Sequence, residues 1–407
     1  MTLLKTKTLF YNAFITIIFI NNISSASSLQ CKGENNQDVD WYILYKIPKI
    51  LNSSDPLIRE GVAYLYMDSE SFTNGWTLSH QDITSNNSIP AYTLAPLYKD
   101  RDANNLIWLL YNDQPPNQPA TLNNGHTKGA IIANEKSGFW LIHSVPNFPP
   151  QPNTGEKVQS VRSSKSEDDK DVEKSNVVVP TGGYAYPSSG KQNGQSFLCI
   201  STNDLNFDII GKQLMYNQII VYRRNIPENL SNKYSILAKA AQQTHVKKAP
   251  FNNKESIYST SRMEFMTFAK SSKWGKDLYD DFVAPQLGID MYAETWLNGR
   301  GRLPSECNHT RVLNVHSISL TEAKVHFKSS HDHSKWAVAI DGKQKATWVC
   351  VGDINRAKTQ FDRGGGTVCF NSPEVWKNYK NSIDDVEPCP KTNSKDFMSR
   401  LRSWLYF

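Results

Sequence analysis

Short runs rich in aromatic and β-branched residues, bounded by Asn, Gly and Pro, recur along this chain of 407 residues. Residues 41–47, 61–67, 106–111, 129–133 and 138–144 carry this pattern and are predicted strands. The period changes over 204–217, where Leu205, Ile209, Leu214 and Met215 fall near one face of a helix that Asp204 would cap. A second helical segment covers 283–287 and stops at Gly288. Strand patterns return at 291–297, 311–320, 336–340 and 347–351. Strands interleaved with a few helices in both halves predict an α/β class with mixed α+β layers.

The stretch 151–179 interrupts this pattern. It is serine-rich and charged through Ser163-Ser164-Lys165-Ser166-Glu167-Asp168-Asp169-Lys170-Asp171 and lacks the apolar content to fold alone. It is expected to be a flexible surface insertion within the first half. The boundary between halves is expected around 224–232, dividing the chain into 27–224 and 225–390, with a tail at 391–407.

At the N-terminus, Lys5 and Lys7 precede an apolar stretch from Leu9 to Ile20, and Ser24-Ser25-Ala26 is the cleavage candidate. This pattern predicts a secretory signal peptide over 1–26. No later segment approaches the roughly 20 apolar residues of a membrane span, so no anchor is expected after signal removal. All six cysteines (Cys31, Cys199, Cys307, Cys350, Cys369 and Cys389) lie beyond the signal without a Cys-x-x-Cys pair, which favours disulfides over zinc. Glycosylation sequons at Asn52, Asn86, Asn229 and Asn308 suit the same compartment. The formal charge is +6, two of it from Lys5 and Lys7. That is a mild preference for polyanions and not a nucleic-acid-binding signature.

One element repeats. His126-Thr127-Lys128 recurs as His333-Ser334-Lys335, each leading into a strand-like run. At strand spacing the histidine and lysine share a face, which joins an imidazole that titrates near cellular pH to an ammonium. Two such units brought together supply a nucleophile, a general acid and charge compensation for phosphoryl oxygens. The spacing alone is not specific, because His245-Val246-Lys247 and His326-Phe327-Lys328 share it.

The surrounding strings are more specific. Gly125-His126-Thr127-Lys128-Gly129-Ala130, Gly138-Phe139-Trp140-Leu141-Ile142-His143, Gly194-Gln195-Ser196-Phe197-Leu198-Cys199, His245-Val246 with Pro250, Phe268-Ala269-Lys270 and Asp332-His333-Ser334-Lys335-Trp336 closely resemble the deoxyribonuclease II family. The resemblance runs from Cys31 to Cys389. That family is similar to the phospholipase D superfamily, so the resemblance implies two similar sandwich halves around a pseudo-twofold axis forming one active site. It further implies a hydrolase acting on DNA at acidic pH, with no metal or other cofactor, through a phosphohistidine to 3′-phosphate and 5′-hydroxyl ends.

The catalytic residues implied are His126, Lys128, His333 and Lys335, with His126 as nucleophile and His333 as acid; the reverse assignment stays open. Asn355, in Gly352-Asp353-Ile354-Asn355, is similar to the Asn of a Gly-Ser-x-Asn element and is implied to bind phosphate or support the site. The superfamily's downstream Asp is missing, which leaves open what orients each imidazole. The implied disulfides are Cys31–Cys199, Cys307–Cys389 and Cys350–Cys369. Ala337 stands where many relatives carry a cysteine, and the six remaining cysteines still pair. The destination is the lysosome or the cell exterior, and monomer versus homodimer is left undetermined.

Other candidates read less sharply. His245 matches a family histidine and has two readings, substrate contact or structural residue. His331 and His333 flank Asp332, but no further metal ligands cluster there. His326 and Lys328 read as solvated. The run Arg363-Gly364-Gly365-Gly366 would either let backbone N–H groups approach phosphate or form a flexible hairpin tip, and the structural role is favoured. Two other functions compete with a nuclease. Resemblance outside the site argues against a phospholipid phosphodiesterase, and the intact pair of motifs argues against a secreted DNA-binding protein without turnover.

Overall fold

The structure is a computed structural model that describes residues 28–99, 103–152, 183–308, 310–340 and 346–390. The expected signal peptide, nearly all of the charged insertion and the tail lie outside the described residues.

A two-stranded ribbon, β1 (Cys31–Lys32) with β2 (Asp38–Val39), precedes two large sheets. The first holds β3 (Trp41–Lys46), β4 (Tyr64–Asp68), β5 (Thr77–Leu78), β6 (Ile107–Asn112), β7 (Lys128–Ala133), β8 (Ser137–His143), β9 (Gln195–Asn203) and β10 (Val221–Asn225). Their order is β10-β6-β7-β8-β9-β3-β4-β5. The second holds β11 (Asn252–Tyr258), β12 (Glu264–Lys270), β13 (Met291–Glu294), β14 (Val312–Leu320), β15 (Val325–Lys328), β16 (Trp336–Ala339), β17 (Trp348–Gly352), β18 (Gly365–Asn371) and β19 (Ile383–Val386). Its order is β11-β12-β18-β17-β16-β13-β14-β15, with β19 also on β14. Among the described strands, β13 and β14 alone pair in parallel.

The helices are α1 (Pro56–Glu60), α2 (Ile89–Lys99), α3 (Phe207–Asn217), α4 (Glu228–Lys233), α5 (Ser235–Ala241), α6 (Ala284–Leu287) and α7 (Pro373–Ser382). The sheets share one core. Trp41, Ile43 and Tyr45 of β3 join Val349 and Val351 of β17 and Phe370 of β18 in it, and the Trp41 and Phe370 rings lie 5.8 Å apart. Residues of α3, α5 and α7 close the sides of this central layer. The outer face of the first sheet packs on α2, and that of the second on Tyr279, Phe282 and Val283 of a π-helical turn that leads into α6. With both faces covered, β3 and β6 are buried at every position. Their sequences therefore read as continuous apolar runs and not as alternation.

Several expectations need correction. A 3-10 turn at Asp204–Asn206 precedes α3, and Asn203, not Asp204, accepts the Leu205 N–H. The extra turn carries Leu205 out to 77% exposure, while Leu214 enters the core with Phe207 and Ile210, and Ile209 and Met215 pack against it as expected. Gly211 lets α3 approach α5, because a Cβ there would meet the Leu237 backbone. Gly61, read as the start of a strand, instead ends α1 at φ 70°, and β4 begins at Tyr64. The helix α2 carries Pro96 inside it, which hid it from a periodicity reading.

The disulfides are Cys31–Cys199, Cys307–Cys389 and Cys350–Cys369, the pairs that the resemblance implies. The last joins directly opposed residues of β17 and β18. No described helix is long and apolar enough to cross a membrane.

Candidate active site

His126-Thr127-Lys128 enters β7 and His333-Ser334-Lys335 enters β16. Thr127 and Ser334 are fully buried, as the middle of an extended triplet should be when its neighbours face a site. Lys128 and Lys335 are buried as well, each 4% exposed, while both histidines stay partly open to solvent. Each histidine is clasped by a glycine from the other sheet's chain. The His126 N–H donates to the Gly364 carbonyl and the His333 N–H to the Gly194 carbonyl, both at 2.9 Å. A Cβ on Gly364 would collide with the Asn217 carbonyl, and one on Gly194 with the Asp332 carboxyl.

Behind the first unit lies a buried charge network. Lys128 and Arg363 both donate to the Asp113 carboxylate, and Arg363 also donates to the Thr121, Asn124 and Gly125 carbonyls. Burial pushes the Asp113 carboxyl up, but Lys128, His126 and Arg363 outweigh it and hold the group well below the usual range. His126 Nδ1 is 2.7 Å from the Asp353 main-chain oxygen. A carbonyl only accepts, so Nδ1 carries the proton and Nε2 keeps a lone pair, 3.9 Å from Asp113. Burial and then Lys128 lower the His126 pKa well below its ordinary value; Asp113 opposes them, and Lys335 adds to the depression.

The second unit is built differently. The Trp296 ring meets His333 edge-on at 4.0 Å, and Asn193 Nδ2 lies 3.3 Å from His333 Nε2. Lys335 donates to the His333 carbonyl at 2.6 Å. Asp332 accepts from Tyr45 and Ser334, and Glu294 accepts from Ser329. Burial raises both carboxyl pKa values. His333 is pushed well below its usual value by burial, then by Lys335, Lys128 and Lys46. Burial and Lys128 bring Lys335 down to about 7. Each imidazole thus feels the lysine of the other unit, so the two units share one space.

The four motif residues are therefore brought together, and Asn355 stands one contact behind them. Its Oδ1 accepts the Trp296 N–H at 3.3 Å and so holds the residue that packs on His333. His245 contacts none of the four among the described residues; its partly buried ring sits by the Ile219 backbone, and burial lowers its pKa. His326 is exposed and paired with Asp384. His331 is exposed, and no group of three or more His, Cys, Asp or Glu able to hold a metal occurs among the described residues. Arg363-Gly364-Gly365-Gly366 is no flexible tip. It is buried because Arg363 ties it to Asp113 and Gly364 holds His126.

Sequence reasoning missed Asp113, Asp353, Trp296 and Asn193. Asp113 follows β6, whose Asn112 is paired with Lys128, so only the strand register reveals it. All four sequon asparagines, Asn52, Asn86, Asn229 and Asn308, are exposed.

A family model described as Deoxyribonuclease II matches residues 30–389, and the chain belongs to that family. Plancitoxin-1 of Acanthaster planci is 35% identical over 378 residues, which are 92% of this chain and 96% of that protein. Deoxyribonuclease-2-alpha of Mus musculus is 35% identical over 89% of this chain and 94% of its own. Cell death-related nuclease 6 of Caenorhabditis elegans is 32% identical, with 94% of each chain covered.

Proposed function

We propose that the protein is an acid endodeoxyribonuclease that hydrolyses DNA phosphodiester bonds without a divalent metal, leaving 3′-phosphate and 5′-hydroxyl ends. The segments 27–224 and 225–390 are then phospholipase D-like halves about a pseudo-twofold axis, each supplying one His-x-Lys. The observation that carries this reading is the reciprocal clasp: each histidine is held by a glycine of the opposite half, and each is depressed by the other half's lysine. Relatives named as deoxyribonucleases and nucleases point the same way.

His126 is the better nucleophile, because its Nδ1 proton is committed to the Asp353 carbonyl. Its Nε2 attacks phosphorus, forming a P–N bond as the P–O5′ bond breaks, and protonated His333 delivers its proton to the leaving 5′-oxygen. Neutral His333 then takes a proton from water, whose oxygen displaces His126 from phosphorus. Lys128 and Lys335 balance charge on the phosphoryl oxygens, and Asp113 balances the charged phosphohistidine ring. These groups supply attack, protonation and charge neutralisation, so the chemistry needs no metal ion.

An acidic optimum follows from the depressed His333 pKa, since its acid form is populated only at low pH. Entry into the secretory pathway, with a lysosomal or extracellular destination, fits the three disulfides and the exposed sequons. The test is plasmid digestion at pH 5 in EDTA by the wild type and His333→Ala, with peptide mapping of bound phosphate after an alkaline denaturing quench, which preserves a P–N bond. Cutting in EDTA, loss in the variant and phosphate on the His126 peptide are expected. EDTA-sensitive activity, activity that survives the substitution, or phosphate on the His333 peptide would each overturn a named part.

A further inference from the structure

We infer that loops 246–251 and 271–276 form a track for the nucleic-acid backbone that continues outward from the His126 side of the site; this rests on the nuclease reading. Register places the loops there. Asn252 of β11 is opposite Lys270 of β12, and Lys270 is opposite Gly365 of β18. The start of β11, the end of β12 and the Gly364 turn that holds His126 therefore lie side by side. The Ser271 N–H donates to the Phe251 carbonyl at 2.8 Å, joining the two loops. The Ser272 N–H donates to Gln218 Oε1 at 2.8 Å, and the Gln218 main-chain carbonyl accepts from Gly125, the neighbour of His126, at 2.9 Å. One glutamine thus separates the second loop from the catalytic turn.

The chemistry of the loops suits a polyanion. Lys247, Lys248, Lys273 and Lys276 are all exposed, and none has a carboxylate partner among the described residues. Neither loop contains an acidic residue. The next carboxylates along the chain are taken up locally or lie beyond the loop: buried Asp277 caps the N–H groups of Tyr279 and Asp280, and Asp281, exposed, accepts the Asp277 N–H. Lys273 lies over the Phe251 ring at 5.6 Å and Lys276 over Trp274 at 6.0 Å. Cations interleaved with half-buried aromatic rings recur in grooves that follow a nucleic-acid backbone. Spread over two loops, the four ammonium groups suit successive phosphates better than one small anion.

The experiment measures binding of a 30-base-pair duplex at pH 5 against salt concentration, in the His333→Ala background so that cleavage does not interfere. Adding Lys273→Ala with Lys276→Ala is expected to weaken binding and reduce the salt slope by about two, near one per phosphate contact. Lys324→Ala, on the hairpin between β14 and β15, is the control and should leave the slope unchanged. An unchanged slope in the double variant, or an equal per-lysine loss in the control, would overturn the inference. Failure of the wild type to cut DNA would count against the nuclease reading alone, because binding is read separately.

Discussion

The two His-x-Lys units share a spacing and a place before a strand, yet different groups support them. Charge supports the first, with Asp113 between Lys128 and Arg363. Hydrogen-bonded acids support the second, where Asp332 and Glu294 have pKa values raised by burial. His126 has its tautomer locked by a carbonyl, whereas His333 has Asn193 at Nε2 and an indole edge at its ring. Equal spacing therefore need not mean equal duty. A locked ring presents a lone pair for attack, and a ring without a fixed carbonyl acceptor is freer to gain and lose a proton.

The sharpest way to break this comparison is to change the leaving group. His126→Ala should cost roughly 10⁴-fold or more in kcat on both plasmid DNA and bis(4-nitrophenyl) phosphate. His333→Ala should cost about 10²–10⁴-fold on DNA but far less on the aryl diester, whose leaving group needs no proton. Equal losses on both substrates would erase the distinction.

Stability should separate the units next. Asp113→Ala leaves Lys128 and Arg363 buried without their carboxylate and should cost about 3–5 kcal/mol in denaturant unfolding. Glu294→Gln preserves shape and hydrogen bonding and should cost about 1 kcal/mol. A reversed order would place the more important charge network behind His333.

The pH dependence follows from the signs of the shifts. A histidine with a depressed folded pKa binds fewer protons than in the unfolded chain, so its contribution holds above about pH 6.5 and falls as pH drops below that. Glu294, Asp332 and Asp353, with raised values, act oppositely and lose stabilising effect as pH rises above about 4. The urea midpoint at pH 5 should therefore rise relative to that at pH 7 in His333→Gln compared with the wild type, because the variant no longer loses the histidine's contribution on acidification. A gap that is unchanged would remove His333 from the balance.

The smallest effect is expected at Trp296. Trp296→Leu should move the His333 pKa back toward its ordinary value by admitting water, leave His126 unmoved, and lower activity a few-fold; ring-proton NMR titration would read both histidines.

Much of this was legible along the chain. Strands β3, β4, β6, β7 and β8 of the first sheet and β13, β14, β16 and β17 of the second, with the cysteine count and the two motifs, follow from local patterns, because side-chain alternation and turn chemistry act over a few residues, whereas β9, β11, β12 and β18 were not legible as strands. The start of α3 was not legible, since a 3-10 turn before Phe207 moves the cap to Asn203 and exposes Leu205, while the rest of the expected face packs on the core. Nor was the role of Arg363, whose glycine-rich neighbours suggest a loose turn until Asp113 is set against it.

The sequence by itself determined that two imidazole–ammonium pairs exist, that each enters a strand and that their flanks belong to one family. Only the tertiary structure decided how they differ. Asp113, Asp353 and Arg363 meet His126 through strand register and contacts between sheets, while Trp296 and Asn193 reach His333 from distant loops. The depressed histidines depend most on burial, a property of the packed chain that no local pattern encodes.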